Sequence, residues 1–353
     1  MSRLAVVLFN LGAPDAPAAI EPFLFNLFND PAILRLPQPL RWTLARLIAR
    51  RRTPVAREIY GHLGGGSPLL ANTAAQAAAL EKALAPKDGT ARVFIAMRYW
   101  HPLSQAAARE VAAFEPDEIV LLPLYPQYST TTTASSLAAW RRAAADAGLA
   151  APTRAVCCYA PEEGFIAALA DLARLGLAEA ERQGCGARPR IIFTAHGLPL
   201  RIAKGGDPYV GQVEDTCRAL ASRLGLAAGA WELGFQSRVG PLQWVGPGTD
   251  ELIVDAAAKG EPILLVPVAF VSEHSETLVE LDITYRELAT ARGARVYVRV
   301  PTVGTHPDFI AGLARSVGLA RASRRPVLAI GSSCGALASR CPCRIPSEET
   351  VSQ

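Results

Sequence analysis

Apolar residues in this chain come in short, nearly unbroken runs, not in strict alternation with polar ones. Eight stand out: "AVVLFNL" (5–11), "RVFIAM" (92–97), "EIVLLPLY" (118–125), "RAVCCY" (154–159), "RIIFTA" (190–195), "WELGFQ" (231–236), "PILLVPVAF" (262–270) and "ARVYVRV" (294–300). Runs that are apolar on both faces are how strands read when helices cover both sides of a parallel sheet. The intervening segments, such as "PLSQAAAREVAAFE" and "FIAALADLARLGLAEAERQ", are rich in alanine and leucine and have helical periodicity. The pattern predicts an α/β protein. "EIVLLPLYPQYS" and "EPILLVPVAFVS" echo each other, each with a proline inside the run and a serine at its end. Eight strands split evenly give two Rossmann-like, doubly wound lobes, each with a mainly parallel four-stranded sheet. The expected divisions are a first lobe over 1–150, a second over 151–304, a closing helix within 305–330 that packs back on the first lobe, and a cysteine-rich tail over 331–353.

Length agrees with two lobes, because 353 residues exceed what a single core usually serves. Half the residues are apolar and 19% are charged, but the longest apolar runs are strand-sized, well short of the roughly 20 residues that span a bilayer. The chain opens on "LAVVLFNLG", without a charged and apolar leader pattern, so a soluble cytoplasmic protein is expected. A net charge of +4 is modest, and no basic stripe with interleaved aromatics points to nucleic acid. The one basic cluster, "RLIARRRTP" (46–54), follows the apolar "FLFNLF" and "PAILRLPQPLRWTL". It reads either as a helix with a solvated basic end or as a surface resting on an anionic membrane.

In open α/β sheets ligands bind beyond the carboxyl ends of the strands. His196 directly follows "RIIFTA" and precedes Gly197, whose missing side chain allows close backbone approach. A neutral imidazole there accepts a proton near neutral pH or binds a divalent metal; a hydrogen-bonded histidine at a strand terminus is the plainer alternative. Segment 272–288, read as an α-helix, puts Glu273, Glu276, Glu280 and Glu287 on one face and Leu278, Leu281, Tyr285 and Leu288 on another, with His274 in the first turn. Such a carboxylate row is either a solvated face or a path for cations and protons. "GHLGGGSP" (61–68) lacks the lysine and hydroxyl residue of a phosphate-binding loop, no G-x-G-x-x-G follows the first strand, and no G-x-S-x-G elbow occurs.

Taken together, "FNLGAP", "RRTPVAREIYGHLGGGSPL", "AMRYWHP", "LPLYPQYSTTTTAS", "FTAHGLP", "GDPY", "FQSRVGPLQWVGPGTDE" and "VPVAFVSEHSETLVELDITY" resemble the ferrochelatase family, in the family's order, over about residues 5 to 320. The resemblance implies insertion of ferrous iron into protoporphyrin IX with release of two protons, the terminal step of haem synthesis, in a cleft between the lobes. It implies His196 as the active-site histidine and Glu276 as its acidic partner, with Glu273, His274 and Glu280 in the same acidic, metal-handling helix. It also implies that Leu11, Tyr60, Ser67, Arg98, Tyr99, Tyr125 and Ser129 line the porphyrin site, and that residues 20–50 form an apolar lip that meets the membrane peripherally. The sequence departs from the animal pattern at Thr284, where those enzymes continue the acidic row with a glutamate.

The tail "SSCGALASRCPC" holds three of the seven cysteines. A cytoplasmic chain has little use for disulfides, and this spacing fits zinc knuckles poorly. The resemblance to some bacterial ferrochelatases implies a [2Fe–2S] cluster on Cys334, Cys341, Cys343 and one internal cysteine. Cys157, Cys158, Cys185 and Cys217 are the candidates. Adjacent strand residues face opposite ways, so only one of Cys157 and Cys158 would face the cluster, and Cys158, nearer the strand end, is favoured. Three other functions compete: a non-catalytic two-lobed carrier of a tetrapyrrole or metal, a cobalt chelatase, and a coproporphyrin III ferrochelatase. Leu11 leans toward protoporphyrin, since coproporphyrin-using relatives often carry tyrosine there. Monomer and homodimer both remain open.

Overall fold

The computed structural model describes residues 2–84, 89–184, 186–238, 240, 242–331 and 339–343. All eight runs form strands: β1 (Ser2–Asn10), β2 (Gly89–Met97), β3 (Glu118–Pro123), β4 (Thr153–Cys158), β5 (Arg190–His196), β6 (Trp231–Gln236), β7 (Ile263–Pro267) and β8 (Tyr297–Arg299). Between them run α1 (Ile20–Phe28), α2 (Leu40–Gly61), α3 (Leu69–Leu84), α4 (Ser104–Phe114), α5 (Thr133–Asp146), α6 (Glu163–Gln183), α7 (Leu200–Lys204), α8 (Tyr209–Leu224) and α9 (Thr249–Ala258), followed after β7 by α10 (Tyr285–Ala291) and after β8 by α11 (Pro307–Ala322).

The strands form two parallel sheets, and one expectation needs correcting. The first sheet has five strands, in the order β2-β1-β3-β4-β9, because residues expected in the closing helix form a further strand, β9 (Val327–Ala329). The helix stops at Ala322; the Arg154 side chain then donates to the Ser323 carbonyl, and Ala155 N–H donates to the Pro326 carbonyl. "VLA" is too short to stand out from the apolar helix before it. The second sheet has four strands in the order β6-β5-β7-β8. The described residues group into two compact units, 2–158 with 313–329 and 159–312 with 330–331 and 339–343.

In the first unit β1 lies between β2 and β3, and Ala5 to Phe9 are wholly buried, which explains its lack of alternation. In the second unit β5 is likewise internal, paired with β6 and β7. Helix α6 crosses β7 and β8 at Gly176, where a Cβ would stand 2.7 Å from a Val300 methyl. At Gly234 of β6 a Cβ would lie 2.8 Å from Thr249 Cα, so glycine lets α9 abut the sheet. Thr249 in turn hydrogen-bonds Thr194 of β5 through their hydroxyls at 2.7 Å. This contact sets the packing beneath the strand end that carries His196.

Gly234→Ala therefore forces backbone apart, and a loss of about 2 kcal/mol is expected. Chemical denaturation of the purified variant checks this; stability equal to wild type would show that α9 shifts freely.

Candidate active site

The second unit supplies an imidazole and a carboxylate in direct contact. His196 ends β5, opposite Gln236 of β6, and its Nδ1 lies 2.9 Å from Glu276 Oε2. A carboxylate only accepts, so Nδ1 carries the proton and Nε2 of the neutral ring keeps its lone pair. Burial disfavours the imidazolium, but the charge and hydrogen bond of Glu276, with the charge of Glu280, together outweigh it and raise the His196 pKa. Burial likewise opposes ionisation of Glu276, yet His196 and then His274 hold its carboxyl well below the usual range. The side chains are 43% and 29% exposed, so solvent moderates both shifts.

The backbone after β7 departs from the expected α-helix. Glu276–Thr284 is a π-helix, and Tyr285 N–H donates to the Glu280 carbonyl five residues back. The wider turn changes which carboxylates share a face, and Glu273 falls before it. Glu273 faces β8, where Oε1 accepts from Arg299 at 2.7 Å and from Thr302 N–H at 2.8 Å. These contacts tie the segment before the π-helix to β8 and the residues after it. Glu287, also placed on that face by α-helical spacing, is exposed on α10. Glu280 accepts from Ser237 N–H at 2.9 Å, from the Ser237 hydroxyl, and from Tyr285 at 3.1 Å. Burial first, and then the charge of Glu276, raise its pKa, so it takes up protons more readily than an ordinary glutamate. It also lines a cavity of about 430 Å³ with Ser237, Arg238, Trp244, Asp250 and Tyr285.

His274 Nδ1 is 3.0 Å from the Ser272 carbonyl, which fixes its proton there and leaves the Nε2 lone pair 4.0 Å from Glu276 Oε2. Glu276 is thus flanked by two imidazoles. A second cluster, Asp171 with His306 and Asp308, brings three potential ligand atoms within 4.8 Å of one another. There Asp308 N–H donates to His306 Nδ1, which puts the imidazole proton on Nε2, toward Asp171 at 4.0 Å, so a proton occupies the position a metal would need.

The first unit gathers other expected residues at its strand ends. Arg98 and Tyr99 N–H groups donate to the Asn10 and Leu11 carbonyls at 2.9 and 2.8 Å, tying the ends of β1 and β2 together. Ser67 N–H donates to the Pro14 carbonyl in the loop after β1. Tyr125 reaches Ser136 at 3.5 Å, and the buried Ser129 hydroxyl contacts Thr131 at 2.9 Å. Tyr99 is buried with its hydroxyl 2.8 Å from Asp30, while Tyr60 is buried in the α1/α2 cluster with Ile20, Leu24 and Ala49. In this structure both rings belong to the core. Sequence reasoning missed Asp30, a buried carboxylate that also accepts from Arg98 at 2.7 Å and from Ser135. Its one signal is a single charged residue in "FNLFNDPAIL".

Residues 3–319 match the family model "Ferrochelatase". The chain belongs to the ferrochelatase family. Similar curated proteins carry that name in Caulobacter vibrioides (51% identical, covering 97% of this chain and 98% of the relative), Phenylobacterium zucineum (50%, with 97% and 98%) and Pelagibacter ubique (47%, with 89% and 90%). Among solved structures, "SirB from Bacillus subtilis with Fe3+" has a TM-score of 0.52 at 12% identity, covering 90% of this chain and 95% of that one; this likeness speaks to the fold alone. Ferrochelatases are metal-inserting enzymes of haem synthesis, with ferrous iron and a porphyrin as substrates.

For the ferrochelatase tail, Cys341 is buried and Cys343 half-buried; Cys334 and Cys185 lie outside the described residues. The expectation that Cys157 and Cys158 face apart fails. The register shifts between Val156 and Cys158, and the two Sγ atoms, both buried, are 3.5 Å apart. Cys158 pairs with Ala329 of β9, the strand that leads into the tail. Cys217 is a buried thiol on α8, its pKa raised by burial.

The raised His196 pKa stabilises the fold fully below its unfolded value of about 6.5 and progressively less as pH rises through the folded value, whereas the lowered Glu276 pKa stabilises above about 4.3 and is lost as pH falls. Glu276→Gln is therefore expected to lower the unfolding midpoint most near pH 5.5 and least near pH 9, by on the order of 1 kcal/mol at the maximum for a partly exposed pair. Thermal melts across that range check this, and a pH-independent gap would contradict it.

Proposed function

We propose that this chain inserts ferrous iron into protoporphyrin IX, with His196 as the proton acceptor and Glu276 as the group that stabilises the resulting imidazolium. The observation that carries this reading is the 2.9 Å contact between His196 Nδ1 and Glu276. With Nδ1–H held by the carboxylate, the Nε2 lone pair takes a pyrrole proton. The second proton goes to Glu280, whose raised pKa suits it to accept one, and leaves through the cavity shared with Asp250. Thr284, exposed on the π-helix, offers no carboxylate for a longer relay. Glu276 and the neighbouring His274 Nε2 supply oxygen and nitrogen ligands that ferrous iron accepts and releases. Glu273 is left out of this set, because Arg299 holds it.

Leu11, half-buried after β1, and Arg98, whose charge is already paired with Asp30, leave little to bind the extra carboxylates of coproporphyrin, which supports protoporphyrin as the substrate. The α1–α2 region bears exposed Leu36, Leu40, Trp42, Leu47, Val55 and Ile59. The same stretch carries Arg35, Arg41, Arg46, Arg50, Arg51 and Arg52. This mixture suits peripheral contact with an anionic bilayer, and no helix among the described residues is long and apolar enough to cross one. We assign a [2Fe–2S] cluster to Cys158, Cys334, Cys341 and Cys343. Thiolates suit such a centre, and the buried Cys158 beside the strand leading into the tail, with Cys341 also buried, fits it. When bound, the cluster would supply a thiolate-held cross-link and a one-electron couple.

Anaerobic assays of ferrous iron and protoporphyrin IX, followed by loss of porphyrin fluorescence, are expected to show many turnovers for the wild type and a loss of at least about 1,000-fold for His196→Ala. Quenching that stops at one equivalent would instead indicate a carrier. Iron and acid-labile sulfide analysis of anaerobically purified protein is expected to show the cluster in wild type and Cys157→Ser but not in Cys158→Ser. Colourless, iron-free wild type would overturn the cluster assignment.

A further inference from the structure

The peptide unit joining His196 to Gly197 is held at both of its polar ends. Gly197 N–H donates to the Gln236 carbonyl at 2.8 Å, and the His196 carbonyl accepts from the Tyr209 hydroxyl at 3.1 Å. No side chain fits at Gly197, where a Cβ would meet the Gln236 carbonyl oxygen at 2.8 Å. The β6 hydrogen bond extends the sheet, but the Tyr209 one comes from outside it, from the first residue of α8. Tyr209 is in turn placed by a tight turn: Asp207 Oδ1 accepts from Tyr209 N–H at 3.0 Å, Pro208 precedes the helix, and Gly206 takes φ +89°. Into this turn runs a hydrogen bond from the other end of the chain. Arg340 N–H donates to the Gly206 carbonyl at 3.2 Å, and the next residue, Cys341, is buried.

We propose that Tyr209 is a positioning residue for His196, and that the described tail residues at Arg340 and Cys341, held to Gly206 by the Arg340 N–H, are the strap that keeps Tyr209 in place. Because the peptide plane after His196 fixes the direction from which its side chain leaves the strand, a tilt of that plane moves the imidazole relative to Glu276 and the substrate. Displacements of about 1 Å at such sites cost up to about 100-fold in rate. The tail thus acts on the reacting histidine through Gly206, Asp207 and Tyr209 without touching the substrate. This rests on His196 as the proton acceptor.

The test is a double-mutant cycle of Tyr209→Phe, which removes the hydroxyl alone, and Arg340→Pro, which removes the tail's donor N–H. Each is expected to lower kcat about 10-fold, with KM for iron and porphyrin changed less than about 2-fold, and the double variant to be no slower than the worse single one. Arg340→Pro should also speed amide hydrogen exchange over residues 205–210 at unchanged iron and sulfide content. Should Arg340→Pro fold poorly, exchange of the Arg340 amide is followed in the wild type instead, where protection together with residues 205–210 is expected and a freely exchanging Arg340 amide overturns the strap. Additive losses, wild-type exchange in Arg340→Pro, or a kcat loss that tracks cluster content alone would overturn the strap. Wild-type turnover by His196→Ala would instead overturn the catalytic reading while leaving the exchange result meaningful.

Discussion

The proposed mechanism depends on one contact: an imidazole at the end of a buried parallel strand against a carboxylate at the start of a π-helix. Each partner changes the other's protonation. Glu276 makes His196 a better base than a histidine alone, and His196 keeps Glu276 ionised in a setting where burial would neutralise it. The rest of the second unit supports that pairing. Internal β5 fixes one partner, the Gly234 and Thr249 contact fixes the layer beneath it, and the π-helical turn presents the other. Glu280, four residues along, is easier to protonate, because burial and then the charge of Glu276 outweigh its hydrogen bonds from Ser237 and the more distant His196. Two carboxylates on one element thus diverge in role because only one touches a histidine.

Much of this was legible in the chain because the relevant signals are local. Strands buried on both faces announce themselves as apolar runs, and all eight were found. The ninth, Val327–Ala329, is three residues long and follows an apolar helix, so nothing in its own composition separates it. His196 and Glu276 stand out because each follows a strand and sits in a motif of the family. Their contact joins residues 80 positions apart, which no periodicity conveys.

What misled was regularity assumed where the backbone is irregular. An α-helical phase put Glu273 and Glu287 beside Glu276, but the π-helix begins after Glu273 and changes the spacing. A regular strand sends Cys157 and Cys158 to opposite faces, but the register shift brings their sulfurs together. Such departures concentrate where function needs special geometry. Asp30 failed to register for a different reason. Its significance lies in partners at 98, 99 and 135, and a single acidic residue carries no pattern of its own.

The central claim is that Glu276 serves proton removal rather than porphyrin binding. Single-turnover metallation by Glu276→Gln tests it most directly, with porphyrin affinity measured on the same protein. The account predicts affinity within about 3-fold of wild type and metallation slower by at least about 100-fold. Metallation at the wild-type rate, or a loss confined to porphyrin affinity, would contradict it.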